Sequence, residues 1–212
     1  MKTVYVTAAL GGWPEDLMFL VQHRFGDVNG VPLTVLGHND IRGLVNLMPH
    51  PTWVKAFLWD LLPPDTERIM WLDADMVAAS PMGDLPTSDP WMACPDTDNT
   101  RNRISGVRAL SGIGPMYFNA GFFVATRAAR GVFNIAQTWM LNSNAAVPYM
   151  YLDQTPLNVL VTLVLGGYMA LPKQWNWMIK GYGPPPPDVK FVHFAGYDGA
   201  ERESLMRKYL EG

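Results

Sequence analysis

Apolar residues recur along the chain at two different periods, and these periods predict strands and helices in alternation. Segment 2–9 carries the β-branched alternation of a strand, and the apolar residues after Pro14 repeat at helical spacing. Glu15 and Asp16 follow that proline, which is typical of a helix start because acids favour the positive end of the helix dipole. The same reasoning predicts further strands at 32–37, 68–72, 117–125, 168–171, 175–179 and 189–194. It predicts further helices at 51–62, 126–142, 153–165 and 200–210.

Alternation of strands with helices is typical of an α/β fold, here with a mostly parallel central sheet flanked by helices. The chain has 212 residues, which is enough to bury a large core without disulfides or a structural metal. No internal repeat and no break in composition divides it. We therefore expect a single domain over 1–212, either as a whole protein or as part of a longer multidomain protein.

Composition narrows the range of functions. The formal net charge is -3, from 16 basic and 19 acidic side chains, whereas a protein that coats nucleic-acid phosphates normally carries a basic excess. We therefore expect no nucleic-acid partner, although a small phosphorylated ligand is compatible with this charge. The single cysteine, Cys94, cannot form an internal disulfide, which favours a reducing compartment and a cytoplasmic location. The longest apolar stretch, 157–171, is shorter than the roughly 20 residues of a membrane-spanning helix, so no transmembrane segment is predicted.

Two aspartates stand at the end of the strand predicted at 68–72. Ligands of open α/β sheets bind beyond the carboxyl ends of the strands, where Asp73 and Asp75 would lie. Alternate strand residues share a face, so both carboxylates can point the same way, with Ala74 leaving room between them. Two like charges so close need a cation, a partner or a shared proton. A divalent metal with hard oxygen ligands, Mn²⁺ or Mg²⁺, meets that need and would also bind diphosphate oxygens. A capped loop with two solvated acids is the alternative, but the apolar strand before them favours a site.

Four short blocks of sequence carry a family resemblance. Segment 60–85 reads DLLPPDTERIMWLDADMVAASPMGDL, which is a helix end, a short strand and then Leu-Asp-Ala-Asp. Three later blocks follow in order, namely FNAGFFV at 118–124, LDQTPLN at 152–158 and VHFAG at 192–196. Together, over about 53–199, the blocks resemble the GT-A glycosyltransferases, and family 8 in particular. The resemblance implies a Rossmann-like nucleotide-diphospho-sugar transferase fold in a compact version, as in viral or bacterial multidomain glycosyltransferases.

The resemblance also implies roles for individual residues. Asp73, Asp75 and His193 would ligate the metal, Mn²⁺ or Mg²⁺, and the catalytic residues would be Asp153 and Gln154. The base of the nucleotide would meet segments 7–12 and 38–40. The residues that bind the nucleotide or the sugar would be Thr7, Ala8, Ala9, Lys55, Asp73, Ala74, Asn119, Gly121, Asp153, Gln154 and Gly196. Without the resemblance, His193 would be interpreted as a structural histidine and Lys55 as a solvated lysine.

One feature of family 8 is missing from this chain. Family members usually carry a lysine and a Pro-Trp pair after His-Phe-x-Gly that hold the diphosphate, whereas 197–200 reads YDGA here. The phosphates are therefore expected to be neutralised by the metal, by Lys55, Lys180 or Lys190, or by an arginine in 101–108. The polar, glycine-bearing segment 99–114 is predicted to be a mobile flap over the donor, or else an exposed loop without that role.

The expected reaction transfers a hexose or deoxyhexose from a UDP-sugar to an acceptor hydroxyl on a glycan or glycoprotein. In an inverting route Asp153 would be the base at that hydroxyl, whereas in a retaining route Asp153 or Gln154 would stabilise the positively charged sugar. Two alternatives stay open. A haloacid-dehalogenase-like phosphatase would use Asp73 as nucleophile and Asp75 as acid and base, although its motif normally lies on the first strand. A non-catalytic nucleotide-sugar-binding module would bind the donor without turnover.

Overall fold

Two β-sheets, with helices packed on both faces of the larger one, form the part of the chain described by the computed structural model, residues 1–44, 46–48, 50–85, 89–97, 116–142 and 153–212. The strands are β1 (Thr3–Ala8), β2 (Leu33–Leu36), β3 (Arg68–Leu72), β4 (Met76–Ala78), β5 (Trp91–Pro95), β6 (Phe118–Thr126), β7 (Met169–Ala170), β8 (Trp177–Met178) and β9 (Phe191–His193). The α-helices are α1 (Glu15–Asn29), α2 (Leu58–Leu61), α3 (Arg130–Asn142), α4 (Gln154–Leu165), α5 (Ile179–Tyr182) and α6 (Gly199–Glu211). Short 3₁₀ helices cover Pro51–Phe57, Arg127–Ala129 and Lys173–Trp175. The predicted flap at 99–114, with the arginines of 101–108, and Leu152 of the LDQ block lie outside the described residues.

The larger sheet has the strand order β2-β1-β3-β6-β5-β7. β1 is parallel to β2 and β3, and β5 is parallel to β7, whereas β6 is antiparallel to both β3 and β5. The predicted α/β architecture is confirmed, and the sheet is mixed because β6 runs against both of its neighbours. Strand direction depends on the connections between strands, which the spacing of apolar residues does not encode.

A smaller sheet, of order β4-β9-β8, continues from the end of β3. β4 is antiparallel to β9, with Met76 opposite His193, and β8 is parallel to β9, with Met178 opposite the same histidine. Sequence analysis predicts neither β4 nor β5. Three residues are too few to show a period in β4, and Pro90 and Pro95 flank or end the apolar run of β5.

Two other predicted elements differ in kind from those observed. The predicted helix at 51–62 begins as the 3₁₀ helix Pro51–Phe57 and becomes α-helical only in α2. The predicted strand at 175–179 is reduced to the two residues of β8, and α5 follows at once. No helix within the described ranges is both long enough and apolar enough to cross a membrane.

β3 contributes to the hydrophobic core on both faces of the larger sheet. Ile69 and Trp71 belong to the cluster that α3 and α4 cover, whereas Met70 and Leu72 belong to the cluster that α1 and α6 cover. Each fully buried side chain of this size contributes about 1.5–3 kcal/mol relative to an exposed one. Packing on both faces therefore fixes the position of β3. It also fixes the start of the acidic turn, residues 73–75, which directly follows the strand.

Candidate functional site

The two aspartates predicted at the sheet edge lie in the turn between β3 and β4. The backbone N–H of Asp73 donates to the Gly121 carbonyl of β6 at 2.8 Å, and the N–H of Met76 donates to the Asp73 carbonyl at 3.0 Å. The expectation that Asp73 and Asp75 align by alternation on one strand is wrong, because β3 ends at Leu72. The turn that carries the chain from the larger sheet into the smaller one brings the two carboxylates together instead.

Strand pairing places His193 beside Asp75. His193 lies opposite Met76 in the ladder between β4 and β9, and its Nε2 is 3.1 Å from Asp75 Oδ1. On the other side of the ring, Nδ1 is 2.8 Å from Oδ1 of the fully buried Asn176. Because an amide oxygen only accepts, Nδ1 carries the proton, and Nε2 is the nitrogen that faces the carboxylates.

Asn176 is oriented in turn by Asn119, so the two asparagines hold the histidine ring in place. Asn119 Oδ1 accepts hydrogen bonds from the N–H of Gly121 and from Asn176 Nδ2, each at 2.9 Å. The Asn176 amide must therefore turn its oxygen toward His193. Sequence analysis did not select Asn176, because one asparagine between two tryptophans belongs to none of the four blocks.

Three side chains converge here and could hold a metal ion. Ligand atoms of Asp73, Asp75 and His193 all lie within 4.8 Å of one another. Two carboxylates and an imidazole are a donor set that fits Mn²⁺ and related divalent ions. Burial raises the pKa of Asp75, but the charges of His193 and Arg202 outweigh it and hold that pKa below its usual range. Burial lowers the pKa of His193, but the Asp75 carboxylate outweighs it and raises that pKa, so Nε2 attracts a proton or a metal ion.

A buried lysine joins Asp73 to Asp153. Lys55 Nζ lies 2.9 Å from Asp73 Oδ1 and 2.8 Å from Asp153 Oδ2, and the lysine side chain is 3% exposed. This burial excludes the interpretation of Lys55 as a solvated lysine. Burial lowers the pKa of Lys55, but the charges of Asp153 and Asp73 outweigh it and raise that pKa above its usual range. Burial raises the pKa of Asp153, and the Lys55 charge offsets only part of this effect.

The predicted catalytic residues lie at the start of α4, where Asp153 directly precedes the helix and Gln154 begins it. The Gln154 amide is held at both ends, since Ala120 N–H donates to Oε1 at 2.9 Å and Nε2 donates to Asp96 Oδ2 at 2.7 Å. Asp96 is buried directly after β5. Sequence analysis missed Asp96 because β5 was not predicted, and an acid at the end of the apolar run Trp91–Pro95 is the signal that points to it.

Gly121 lies where β6 comes closest to the acidic cluster. A Cβ atom on this residue would lie 2.8 Å from Asn119 Oδ1 and 3.1 Å from Asp73 Oδ2, and still closer to Cε1 of His193. Its backbone is not in the left-handed region, so the requirement for glycine here is one of space. The site therefore leaves no room for a side chain at this position.

A cleft of about 300 Å³ opens beside the acidic turn. Among the predicted binding residues, its lining includes Ala8, Asp73, Ala74 and Asp75. The 3₁₀ helix Pro51–Phe57 contributes another part of the wall. The other predicted site residues do not line this cleft within the described structure. Contacts connect Lys55, Asp153, Gly121, His193 and Asn119 to Asp73 or Asp75, directly or through one another, whereas Gln154 contacts Ala120 and Asp96.

Trp13 also lines a second cleft, of about 630 Å³. Ala9 lines it together with residues 38–40 after β2, the segment expected near the nucleotide base. Thr7 is buried within β1, and Gly196 accepts a hydrogen bond from Lys180. The described structure places neither Thr7 nor Gly196 in the lining of either cleft.

Arg202 is a cleft residue that sequence analysis missed. It lies in the first turn of α6, and its Nη1 is 3.3 Å from Asp75 Oδ2. Its guanidinium carbon is 4.7 Å from the ring centroid of Trp13, which is a cation–π distance. An arginine on a polar helix carries no signal in the sequence, because nothing there shows which way the helix faces.

Comparison with known proteins gives the chain a family. The family model described as Glycosyl transferase family 8 matches residues 42–198, which is more than half of the chain. The fold is similar to that of a glycosyltransferase involved in the glycosylation of the major capsid of PBCV-1, with 16% identity, 98% of this chain and 100% of that chain covered, and a TM-score of 0.65. It is also similar to the galactosyltransferase LgtC, with 16% identity, coverage of 100% and 97%, and a TM-score of 0.59. The glycosyltransferase GlyE of Streptococcus pneumoniae TIGR4 is also similar in fold, with 17% identity, 99% of this chain and 60% of that chain covered, and a TM-score of 0.61.

No curated protein matches the chain. The structural likenesses confirm the predicted GT-A fold, and the acidic turn and the cleft lie at the carboxyl ends of the inner strands β1 and β3. The region matched by the family model contains Lys55, the acidic turn, the Asn-Ala-Gly strand, the Asp-Gln pair and His193. This chain therefore belongs to glycosyl transferase family 8 and is a glycosyltransferase.

Proposed function

We propose that this glycosyltransferase takes a hexose or deoxyhexose from a UDP-sugar and transfers it to a hydroxyl group of a glycan or glycoprotein, with Mn²⁺ or Mg²⁺ in its site. The observation that carries the proposal is the convergence of Asp73, Asp75 and His193 beside a cleft of about 300 Å³. A divalent ion held by these residues would neutralise the charge that develops on the departing diphosphate. Such an ion would also offset the negative charge of Asp73 and Asp75 where the negatively charged donor is proposed to bind.

Hydrogen bonds and ion pairs fix the orientation of the side chains in this site. Asn176 presents His193 with Nε2 toward the carboxylates, and Lys55 holds Asp73 and Asp153 on either side of one positive charge. Because Asp153 is 5% exposed and its Oδ2 contacts Lys55, we assign it to electrostatic stabilisation of the donor sugar rather than to proton abstraction from the acceptor. The fixed amide of Gln154 supports the same part of the site.

The phosphatase alternative has less support. Its nucleophile would be Asp73, but Oδ1 of that residue already accepts a hydrogen bond from Trp71 Nε1 at 2.8 Å and contacts Lys55 Nζ at 2.9 Å. The matching family is one of transferases. The alternative of a non-catalytic binding module is decided by whether a bound donor turns over.

Removal of the divalent ion is expected to weaken UDP binding at least about 10-fold, because the diphosphate then faces Asp73 and Asp75 without a neutralising charge. Calorimetric titration with UDP, in Mn²⁺ and in EDTA, measures the change. Asp75→Ala should cause the same loss in the presence of Mn²⁺. In the matched control Asp188→Ala, which changes an exposed carboxylate that contacts Gln174, the affinity should stay within about 2-fold. Equal UDP affinity with and without metal would disprove the metal-dependent site.

A panel of UDP-sugars incubated with the protein and Mn²⁺ tests turnover without knowledge of the acceptor, because slow hydrolysis releases UDP. Release from one member of the panel identifies the donor. UDP binding without release from any donor supports the non-catalytic module. Hydrolysis of a phosphate monoester that is abolished by Asp73→Asn supports the phosphatase.

A further inference from the structure

We propose that Arg202 binds the diphosphate of the donor directly, a role that rests on the proposed function. Arg202 and Asp75 line the same cleft, and Arg202 is the one Lys or Arg side chain that does so within the described ranges. The segment directly after the His-Phe-x-Gly block holds no lysine, so the positive charge at this edge of the site comes from one helical turn further along the chain.

The position of the guanidinium group is set by two contacts. Nη1 lies 3.3 Å from Asp75 Oδ2, and the group lies over the ring of Trp13 at 4.7 Å. The Nε atom is buried and has no hydrogen-bond partner within the described structure. An unsatisfied buried donor is unfavourable, and a shift of the side chain that lets it meet an anionic oxygen would relieve this cost.

The other cations that the sequence analysis considered, apart from the arginines of 101–108, which lie outside the described residues, are already engaged or lie away from the acidic turn. Lys55 is buried between two carboxylates, and Lys180 donates to the Gly196 carbonyl while lying 4.9 Å from the Tyr197 ring centroid. Lys190 precedes β9, at the opposite end of that strand from His193. Arg202 is therefore the cation among the described residues whose N–H groups are in place to meet phosphate oxygens at the acidic turn.

The chemistry of arginine fits this role better than that of lysine. A guanidinium has five N–H donors in a planar fork that can bind two phosphate oxygens at once. The cation–π contact with Trp13, at 4.7 Å, helps to hold the guanidinium at the cleft. A metal ion held by Asp75 would satisfy that carboxylate and would leave the Arg202 donors available to the diphosphate.

The test is a calorimetric titration with UDP on the whole chain, at increasing Mn²⁺ until the affinity stops changing. At saturating Mn²⁺, Arg202→Gln is expected to bind UDP about 10- to 100-fold more weakly than the wild type, the usual effect of a lost charged hydrogen bond. Arg202→Lys keeps the charge and loses the fork, so it should bind about 3- to 10-fold more weakly. The matched control is Arg207→Gln, on the same helix with a side chain of the same 29% exposure, which pairs with Asp16 and Glu203. Its UDP affinity should stay within about 2-fold.

Each other outcome overturns the proposal in a recognisable way. Wild-type protein that does not bind UDP contradicts the proposed function, and this role with it. If the wild type binds UDP and the Arg202→Gln variant binds it equally tightly, the role of Arg202 is wrong while the proposed function stands. A deficit that disappears at saturating Mn²⁺ shows that Arg202 only positions Asp75. If a thermal melt shows that Arg202→Gln is unfolded, Arg202→Lys decides, and wild-type affinity in that variant overturns the proposal.

Discussion

Lys55→Met is expected to lower the free energy of unfolding by about 3–5 kcal/mol, the usual cost of leaving a buried charge without its partner. Lys55 contacts Asp153 and Asp73 at 2.8 and 2.9 Å. Asp153 is only 5% exposed, so water cannot replace the lost ammonium group. Denaturation by urea, followed by circular dichroism, measures the change. Sugar transfer should be lost at the same time, because the repulsion between the two carboxylates moves Asp73.

Two further variants test whether the loss of stability comes from the buried charge at this site rather than from the removal of a lysine in general. Lys2→Met breaks a pair with Asp65 at 2.6 Å in which both side chains are largely exposed, and it should cost less than about 1 kcal/mol. Adding Asp153→Asn to Lys55→Met removes the stranded charge and should restore part of the lost stability. A double variant no more stable than Lys55→Met would show that packing, and not charge, accounts for the loss.

Gly121→Ala is expected to reduce sugar transfer at least about 100-fold, since a displacement of about 1 Å at a reacting site has an effect of this size. The new methyl group would lie 2.8 Å from Asn119 Oδ1 and closer to the His193 ring, so the ring or β6 must move. Either movement separates His193 from Asp73 and Asp75. Mn²⁺-dependent UDP binding measures the damage to the metal site, and hydrolysis of the donor sugar measures the loss of turnover.

Gly26→Ala is the matched control for Gly121→Ala. Gly26 lies inside α1, and a Cβ atom there meets nothing within 4 Å. Alanine favours a helix interior over glycine by roughly 0.5–1 kcal/mol, so this variant should be as stable as the wild type or slightly more stable, with unchanged transfer. Wild-type transfer in Gly121→Ala would contradict the close packing around His193.

The elements predicted best are those whose side chains repeat a clear pattern over several residues. β3 has the predicted bounds, because after Arg68 it consists of four apolar residues that end at the first aspartate. β6 is shifted by one residue and α4 begins one residue later than predicted. β4 was missed because its three residues form a strand only by pairing with β9, and strand pairing is a property of two segments distant in sequence.

In the candidate site, too, some residues could be selected from the sequence and others only from the structure. The acidic pair was selected from its position after a strand, the Asp-Gln pair and His193 from the blocks that contain them, and Lys55 from the family resemblance as a whole, whereas Asp96, Asn176 and Arg202 stand in none of the blocks. These three act through contacts with residues far away in the chain. Asp96 contacts Gln154 across 58 positions, and Arg202 contacts Asp75 across 127.

Apolar periodicity and the order of the four blocks were sufficient for the α/β class, the family and the position of the acidic pair, because these depend on neighbouring residues. The direction of β6, the turn that joins Asp73 to Asp75 and the burial of Lys55 between two carboxylates required the tertiary structure. The tertiary structure was also required to show that Arg202 and Asp75 line the same cleft. The reason is physical: hydrogen bonds and ion pairs act over about 3 Å, and only folding brings the relevant side chains within that distance.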